Sequence, residues 1–238
     1  MTMMLVIIPT YNEIKNIEAI INSVLLYDWL HVLVVDDNSP DGTAAVVQKL
    51  IDGEYKGRLH LLKRAGKLGL GTAYLEGFRW ALARDYQAIF EMDADFSHNP
   101  SYLPAFKEQM EKGADLVLGS RYIAGGGVKN WGIARRFLSR GGSLYARTIL
   151  GIKINDLTGG FKCFRRCVLE DIGLEQIKSN GYSFQIELTY KALKKGFCVR
   201  EMPIVFEDRK LGKSKMSKKI FLEAVIMVWL LRLSTSEG

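Results

Sequence analysis

Cysteine and proline are scarce in this chain, with three of the former and five of the latter in 238 residues. An odd set of three, Cys163, Cys167 and Cys198, does not make a disulfide framework, and Cys163-x-x-x-Cys167 lacks the spacing of a zinc knuckle. A reducing compartment and no structural metal cluster are expected. Low proline, with no internal repeat or low-complexity linker, argues against collagen-like and disordered chains. Long apolar runs are missing too. The longest near the C-terminus, residues 224–231, falls well short of the roughly 20 residues a spanning helix requires. At the other end the chain enters an apolar strand almost at once, with no basic segment and no small-residue cleavage site. No secretory signal is therefore expected, and a cytoplasmic location is.

What is present suits one large α/β domain: 48% of the residues are hydrophobic and 25% charged. The expected division is a globular unit over 1–218 and a C-terminal helix over 219–238. A formal net charge of +7 predicts attraction to a polyanion: nucleic acid, anionic lipid or a substrate with several phosphates. Charge alone does not choose, but no helix-turn-helix, zinc finger or RNA-recognition motif accompanies it, so nucleic acid is not an expected partner.

Residues 4–8 and 32–35 are short β-branched runs ended by polar turns, as buried parallel strands are. Between them, residues 14–26 repeat Ile17, Ile20, Ile21 and Val24 at helical spacing, which makes a β-α-β unit. The pattern recurs as a helix over 43–51, a strand over 59–62, a helix over 72–83 and a strand over 88–92. These strands should all end at one sheet edge, where open α/β sheets bind ligands. A further strand is expected at 116–118, then a mobile loop through Gly125-Gly126-Gly127 and a helix with the basic stretch 135–140. The last third predicts a helix over 184–193, an extended segment over 198–206, a Lys/Arg-rich loop and a terminal apolar helix.

The chemistry collects at those strand ends. Strand one runs into Pro9-Thr10-Tyr11-Asn12-Glu13, where a ring, an amide and a carboxylate could hold a base and ribose; proline ending the strand and Asn12 or Glu13 capping a helix explains it as well. Strand two ends in Asp36-Asp37-Asn38-Ser39-Pro40-Asp41-Gly42-Thr43, whose acids can accept from base or ribose donors while Asp41 or Thr43 caps the next helix. Lys67-Leu68-Gly69-Leu70-Gly71-Thr72-Ala73 looks like a phosphate loop but matches neither the Walker pattern nor the dinucleotide fingerprint; its glycines also fit a plain turn into a helix. Strand four ends in Asp93-Ala94-Asp95. Two carboxylates one residue apart suit Mg²⁺ or Mn²⁺ shared with substrate phosphates, against the alternative of a solvated acidic turn. Basic complements follow at Arg121, Arg135, Arg136 and Arg140, and at Arg209-Lys210-Leu211-Gly212-Lys213-Ser214-Lys215, although such runs are often only solvated faces. Of three histidines, His31, His60 and His98, only His98 lies near these motifs; it could orient an acid or line the pocket, turn packing explains it as well, and it stays outside the catalytic set.

Taken in order, these motifs, together with Phe96-Ser97-His98, Gly119-Ser120-Arg121-Tyr122 and Asp156-Leu157-Thr158-Gly159, resemble the dolichyl-phosphate (polyprenyl-phosphate) mannosyltransferase family over nearly the whole chain. The resemblance implies an inverting family 2 glycosyltransferase with a GT-A fold, a Rossmann-like, mostly parallel sheet flanked by helices. It implies that Pro9, Tyr11, Glu13, Val35 and Asp37 hold guanosine. Asp93, Ala94 and Asp95 would lie at ribose, diphosphate and metal, with Asp95 the leading metal ligand and Ser97 where some relatives carry a further one. Arg121, Arg209 and Lys215 match phosphate-handling positions, and Arg135 and Ser139 would face the acceptor phosphate. Asp95, Arg121, Arg209 and Lys215 form the expected catalytic set.

The implied reaction moves mannose from GDP-mannose to a polyprenyl phosphate, giving a β-linked lipid phosphosugar and GDP. UDP-glucose on the same scaffold is the nearest rival, and a non-catalytic nucleotide-sugar-binding subunit the next. Some relatives carry C-terminal transmembrane helices. Here the apolar helix around residues 221–233, preceded by Lys213, Lys215, Lys218 and Lys219, is expected either to lie on a membrane or partner, with the protein peripheral at the cytoplasmic face, or to pack on its own domain.

Overall fold

The structure, a computed structural model, describes residues 3–177, 179, 181–208 and 218–234. The β-α-β succession is present as β1 Met4–Thr10, α1 Ile17–Leu25, β2 Leu30–Asp36, α2 Thr43–Asp52, β3 Leu59–Lys63, α3 Leu70–Leu82 and β4 Ala88–Glu91. β1 pairs in parallel with β2 and β4, and β2 with β3, so these four strands do end at one edge. Beyond them come α4 Leu103–Glu111, β5 Leu116–Ser120, β6 Gly127–Lys129, α5 Ile133–Leu150, β7 Lys162–Arg165, α6 Arg166–Asp171 and α7 Gly181–Lys194. The chain continues through β8 Val199–Pro203, β9 Val205–Glu207 and α8 Lys218–Ser234.

Seven strands make the main sheet in the order β3-β2-β1-β4-β7-β5-β8. The chain winds outward from β1 to β3, then returns to add β4 on the far side of β1. That reversal opens a crevice between the loops following β1 and β4, the place where a doubly wound sheet binds ligand.

Strand residues alternate between two buried faces. Leu5, Ile7, Leu33 and Ile89 pack toward α3, α7 and α8, against Phe78, Phe184 and other side chains. Val6, Ile8, Val32 and Phe90 pack toward α1 and α4, against Ile17, Ile21, Leu103 and Phe106. Burial on both faces explains why these strands read as continuous apolar runs, and each such side chain contributes about 1.5–3 kcal/mol. The approach of α3 to β1 is closest at Gly77, where an added Cβ would lie 2.8 Å from Ile7 Cγ2.

Several elements depart from the sequence expectation, α4 and α6 among them, which it did not contain. β7, absent from it, runs antiparallel between β4 and β5. Its sequence carries a lysine at its start, and Lys162 is fully buried, its ammonium donating to Gln185 O at 2.7 Å and Thr189 Oγ1 at 2.9 Å. The loop expected around Gly125-Gly126-Gly127 instead enters β6, which pairs in parallel with β9 as a separate two-stranded sheet. The extended segment expected over 198–206 is accordingly two strands, broken at Ile204 and shared between two sheets. α8 packs on α5 and α7, burying Val228 and Leu231 while Ile226, Trp229, Leu230 and Leu233 stay exposed. No described helix is long and apolar enough to cross a membrane.

Candidate active site

The loops after β1 and β2 are tied to each other by side chains that cap backbone amides. Asn12 N–H donates to Ser39 Oγ, Glu13 N–H to Thr43 Oγ1 and Ile14 N–H to Asp41 Oδ2. Asp36, buried, accepts from Thr10 Oγ1 at 2.8 Å and Ser39 Oγ at 2.6 Å. Burial works to raise the carboxyl of Asp41, but hydrogen bonds from Thr43 and Ile14 carry it below the usual range. Asp41 and Thr43 thus shape the turn and tie the two loops together, while the N-cap of α2 is Gly42, which has no side chain to cap the helix.

Asp37 faces the other way. Its Oδ1 meets Arg64 Nη1 at 2.6 Å and its Oδ2 accepts from Leu68 N–H at 3.2 Å. Arg64, buried and unremarked in the sequence, also reaches Thr72 Oγ1 at 2.6 Å, bolting the glycine loop to the end of β2. The loop presents Lys67, whose ammonium sits 4.3 Å from the centroid of the Tyr11 ring. Tyr11, Glu13 and Asp37 therefore line neighbouring loops at one edge, with Pro9 near the end of β1 itself. The Val35 side chain does not join them; it is fully buried in the core on the α3 side of the sheet.

β4 delivers the acidic turn. Asp93 and Asp95 are partly exposed and Ala94 between them is buried. Asp95 Oδ1 accepts from Ser97 N–H at 3.1 Å and from Ser97 Oγ at 2.6 Å, so the buried serine orients that carboxylate. Phe96 holds φ at +62°, a left-handed conformation that a bulky residue rarely adopts and that costs about 1–3 kcal/mol. His98 anchors the turn from within: its Nδ1 accepts from Asp93 N–H at 3.0 Å, and its ring stacks on Phe161 at 5.0 Å. Burial depresses its basicity against the pull of Asp93 and Asp95, which suits a ring whose Nδ1 is an acceptor. The sequence set His98 aside; the structure makes it the support of the acidic turn.

Among the described residues no three acidic, histidine or cysteine side chains gather into a ready metal cage. Asp93 and Asp95 offer a hard, oxygen-only half-site, the kind that a Mg²⁺-class ion completes with substrate phosphates and water. Beneath the turn lies a buried pair with no counterpart in the sequence reading. Burial raises the carboxyl of Glu91 to about 8, opposed by Lys162, whose own ammonium burial lowers to about 8.

Across the crevice, Arg121 follows directly on the end of β5 at Ser120. Its guanidinium is buried and grips Asp156 through two bonds, Nε to Oδ2 at 2.6 Å and Nη2 to Oδ1 at 2.7 Å, with Thr158 Oγ1 at 2.9 Å. Burial would raise the Asp156 carboxyl, but Arg121 holds it below the ordinary range. Glu201 fixes this loop by accepting from Ser120 Oγ, Asn155 N–H and Asp156 N–H. Gly126 fits under the strand end, where a Cβ would come within 2.5 Å of Ser120 O.

Trp131, packed between β6 and α5, joins the basic groups. The Arg135 guanidinium lies 4.2 Å from its ring centroid and that of Arg121 5.4 Å, while Phe206 meets it edge-on at 5.4 Å. Arg135 also pairs with Asp208 at 2.6 Å, and Tyr122 OH donates to Ser139 Oγ at 2.7 Å. Phe206 touches His98 as well, which links the acidic turn to this cluster. The structure thus brings Asp93, Asp95, Ser97 and Arg121 toward one crevice, with Arg135 and Ser139 on the adjoining helix. Arg209 and Lys215 lie outside the described residues.

A crevice at the switch point of a mostly parallel sheet, acidic on one side and basic on the other, is the architecture of a nucleotide-sugar transferase. Residues 5–173 match glycosyl transferase family 2, and the chain belongs to that family. Its fold is GT-A: it superposes on glucosyl-3-phosphoglycerate synthase from Mycobacterium tuberculosis, in complex with Mn²⁺, UDP and glucosyl-3-phosphoglycerate, with a TM-score of 0.68. That match has 18% identity and covers 98% of this chain and 80% of the other. A mannosyltransferase from Pyrobaculum calidifontis, in complex with GDP-Man and Mn²⁺, matches with a TM-score of 0.59 at 18% identity, covering 99% and 75%. Within the family, the chain is 48% identical over 225 residues to polyprenol monophosphomannose synthase from Mycolicibacterium smegmatis, covering 94% of this chain and 84% of that one. It is 44% identical over 227 residues to undecaprenyl-phosphate mannosyltransferase from Micrococcus luteus, covering 94% and 91%. These identities place it among the polyprenyl-phosphate mannosyltransferases.

Proposed function

We propose that this chain transfers mannose from GDP-mannose to a polyprenyl phosphate with inversion, releasing GDP and a β-linked lipid phosphosugar. The observation that carries the reading is the facing of two carboxylates, Asp93 and Asp95, by an arginine cluster that continues onto the amphipathic helix α5. Pro9, Tyr11, Glu13 and Asp37 hold the guanosine end, with Lys67 closing over Tyr11. Asp93 and Asp95 hold Mg²⁺ or Mn²⁺, which supplies positive charge to the diphosphate. Arg121, with Arg209 and Lys215, stabilises the leaving group, while Arg135 and Ser139 hold the acceptor phosphate in line with the anomeric carbon. An anionic phosphate attacks without the general base that a sugar hydroxyl needs. The mannosyltransferase names of the relatives and the neighbour bound to GDP-Man and Mn²⁺ support the donor and the cation.

The lipid acceptor calls for a membrane surface. α5 exposes Ile133, Phe137 and Leu144 at helical spacing beside Arg136 and Arg140, and α8, packed against it, exposes Ile226, Trp229 and Leu230. Two adjacent apolar helix faces with basic neighbours favour peripheral binding to anionic lipid, at the cytoplasmic face of a membrane. Arg135 and Ser139 on the same helix then meet the lipid's phosphate at the surface.

Radiolabelled transfer with GDP-mannose and with UDP-glucose, each to an undecaprenyl or dolichyl phosphate with and without Mn²⁺, tests the reaction. Mannose transfer that requires the cation is expected. Transfer from UDP-glucose alone would overturn the donor, and transfer from neither would overturn the enzymatic reading in favour of a binding subunit. Flotation with anionic liposomes tests the surface. Wild type should float and an Ile133→Asp, Phe137→Asp double variant should not; equal flotation would remove α5 from the membrane.

A further inference from the structure

Trp131 carries an anomaly that its packing does not explain. The residue is 7% exposed, and its indole Nε1–H, itself buried, has no hydrogen-bond partner among the described residues. A buried donor without an acceptor is a standing cost to the fold, one that an apolar bicycle of the same shape would not carry. The backbone adds a second irregularity. Asn130, just before it, sits at φ +61°, turning the chain inward from β6 before α5 begins. The tryptophan is therefore placed deliberately at the junction of the two elements that carry the acceptor-side groups.

Its surroundings define what the N–H is for. The ring has two guanidiniums near it, that of Arg135 at 4.2 Å and that of Arg121 at 5.4 Å from its centroid, and Phe206 braces it edge-on. Arg121 is locked by its two bonds to buried Asp156. Arg135 is held less firmly, in a partly exposed pair with Asp208. A buried donor near two cations suits an oxygen-rich anion and repels a cationic or purely apolar group.

We propose that the Trp131 indole N–H is a hydrogen-bond donor to the acceptor's phosphate, engaged when Arg135 exchanges Asp208 for that phosphate. This rests on the reading of Arg135 as an acceptor-phosphate residue. Because Arg135 lies on the indole face, an anion that draws the guanidinium off Asp208 is brought to the edge of the same ring. One phosphate oxygen then accepts from Nε1 while the others take the guanidinium. The contact adds a neutral, directional donor to a charge that could otherwise hold the phosphate in several orientations, and it fixes the attacking oxygen.

The test uses the full chain with a short, water-soluble polyprenyl phosphate. Trp131→Phe keeps an aromatic ring, and replacement of Trp131 by 3-benzothienylalanine keeps the shape of the indole while removing its N–H. Both should lower kcat/KM for the acceptor about 10–100-fold, with KM for the sugar donor within twofold, and the benzothienyl variant should keep a thermal midpoint equal to or above wild type. Acceptor kcat/KM within twofold of wild type in the benzothienyl variant overturns the proposal, as does a loss confined to the donor KM. Calorimetric titration of the lipid phosphate without any sugar donor separates this from the choice of donor. Weaker binding by both variants supports the contact, and equal binding overturns it, whichever nucleotide sugar the wild type uses.

Discussion

Asp156 shows how strongly single side chains bind this site together. Its carboxylate is wholly buried and its partner Arg121 nearly so. Asp156→Asn leaves a buried guanidinium without its counter-charge, and removing one member of such a pair typically costs about 3–5 kcal/mol. Urea denaturation should show a loss of that size. Asp95→Ala behaves in the opposite way. The carboxylate is partly exposed and its Ser97 bonds are local. Stability should stay within about 0.5 kcal/mol of wild type, while transfer falls roughly a hundredfold or more with the loss of the proposed cation ligand. An Asp95→Ala enzyme with near-normal kcat would remove that residue from the metal site. The same contrast explains what the sequence disclosed. Asp93 and Asp95 are neighbours in the chain and follow an apolar run, so they stand out on inspection. Arg64, 27 positions from Asp37, and Trp131, with two guanidiniums near its ring, have meaning only once distant segments meet.

At the scale of elements, the alternation of apolar strands and helices from β1 to β4 was legible because burial on both faces leaves an uninterrupted apolar signal. β7 was hidden by Lys162, whose charge contradicts the pattern and is satisfied only by Gln185 and Thr189 of α7, over twenty positions on. β6 was hidden by its glycine: Gly126, just ahead of the strand, is there for contact, not for freedom, and reads as a loop. Gly126→Ala tests this. The added methyl has no room against Ser120 O, so the end of β5 must shift, and Arg121 with it. Transfer activity should fall more than tenfold with a stability loss of about 1–3 kcal/mol, measured by the kcat and the denaturation midpoint of the purified variant. Wild-type activity would show that the β5–β6 turn relaxes without moving the arginine.

Across the whole molecule, the two sheet edges differ in kind. Opposite the acidic turn, His31 Nδ1 lies 2.9 Å from Tyr86 OH, which lies 3.4 Å from His60 Nε2. Burial lowers both imidazoles below their ordinary 6.5, with Arg58 adding to the effect at His31, and His31 and Arg84 at His60. In the range below 6.5 the unfolded chain binds protons that the folded chain refuses, so stability is intact above that pH and declines as pH falls toward the folded values. Unfolding free energies measured between pH 7.5 and 5.5 should drop more steeply for wild type than for a His31→Asn, His60→Asn double variant. Parallel slopes would show that other groups govern the acid limb.

β7 has one more effect. By running backward between β4 and β5 it sets a seam through the sheet, holding the strand that ends in the acidic turn apart from the strand that leads into Arg121. On the proposed reading, the guanosine and cation groups lie within residues 9–97 and the acceptor-phosphate groups within 121–139, with Arg121 serving both sides. A chimaera that takes residues 121–150 from a relative with a different lipid preference should adopt that relative's choice of polyprenol while keeping its own nucleotide, a swap that competition between two lipid phosphates would read directly.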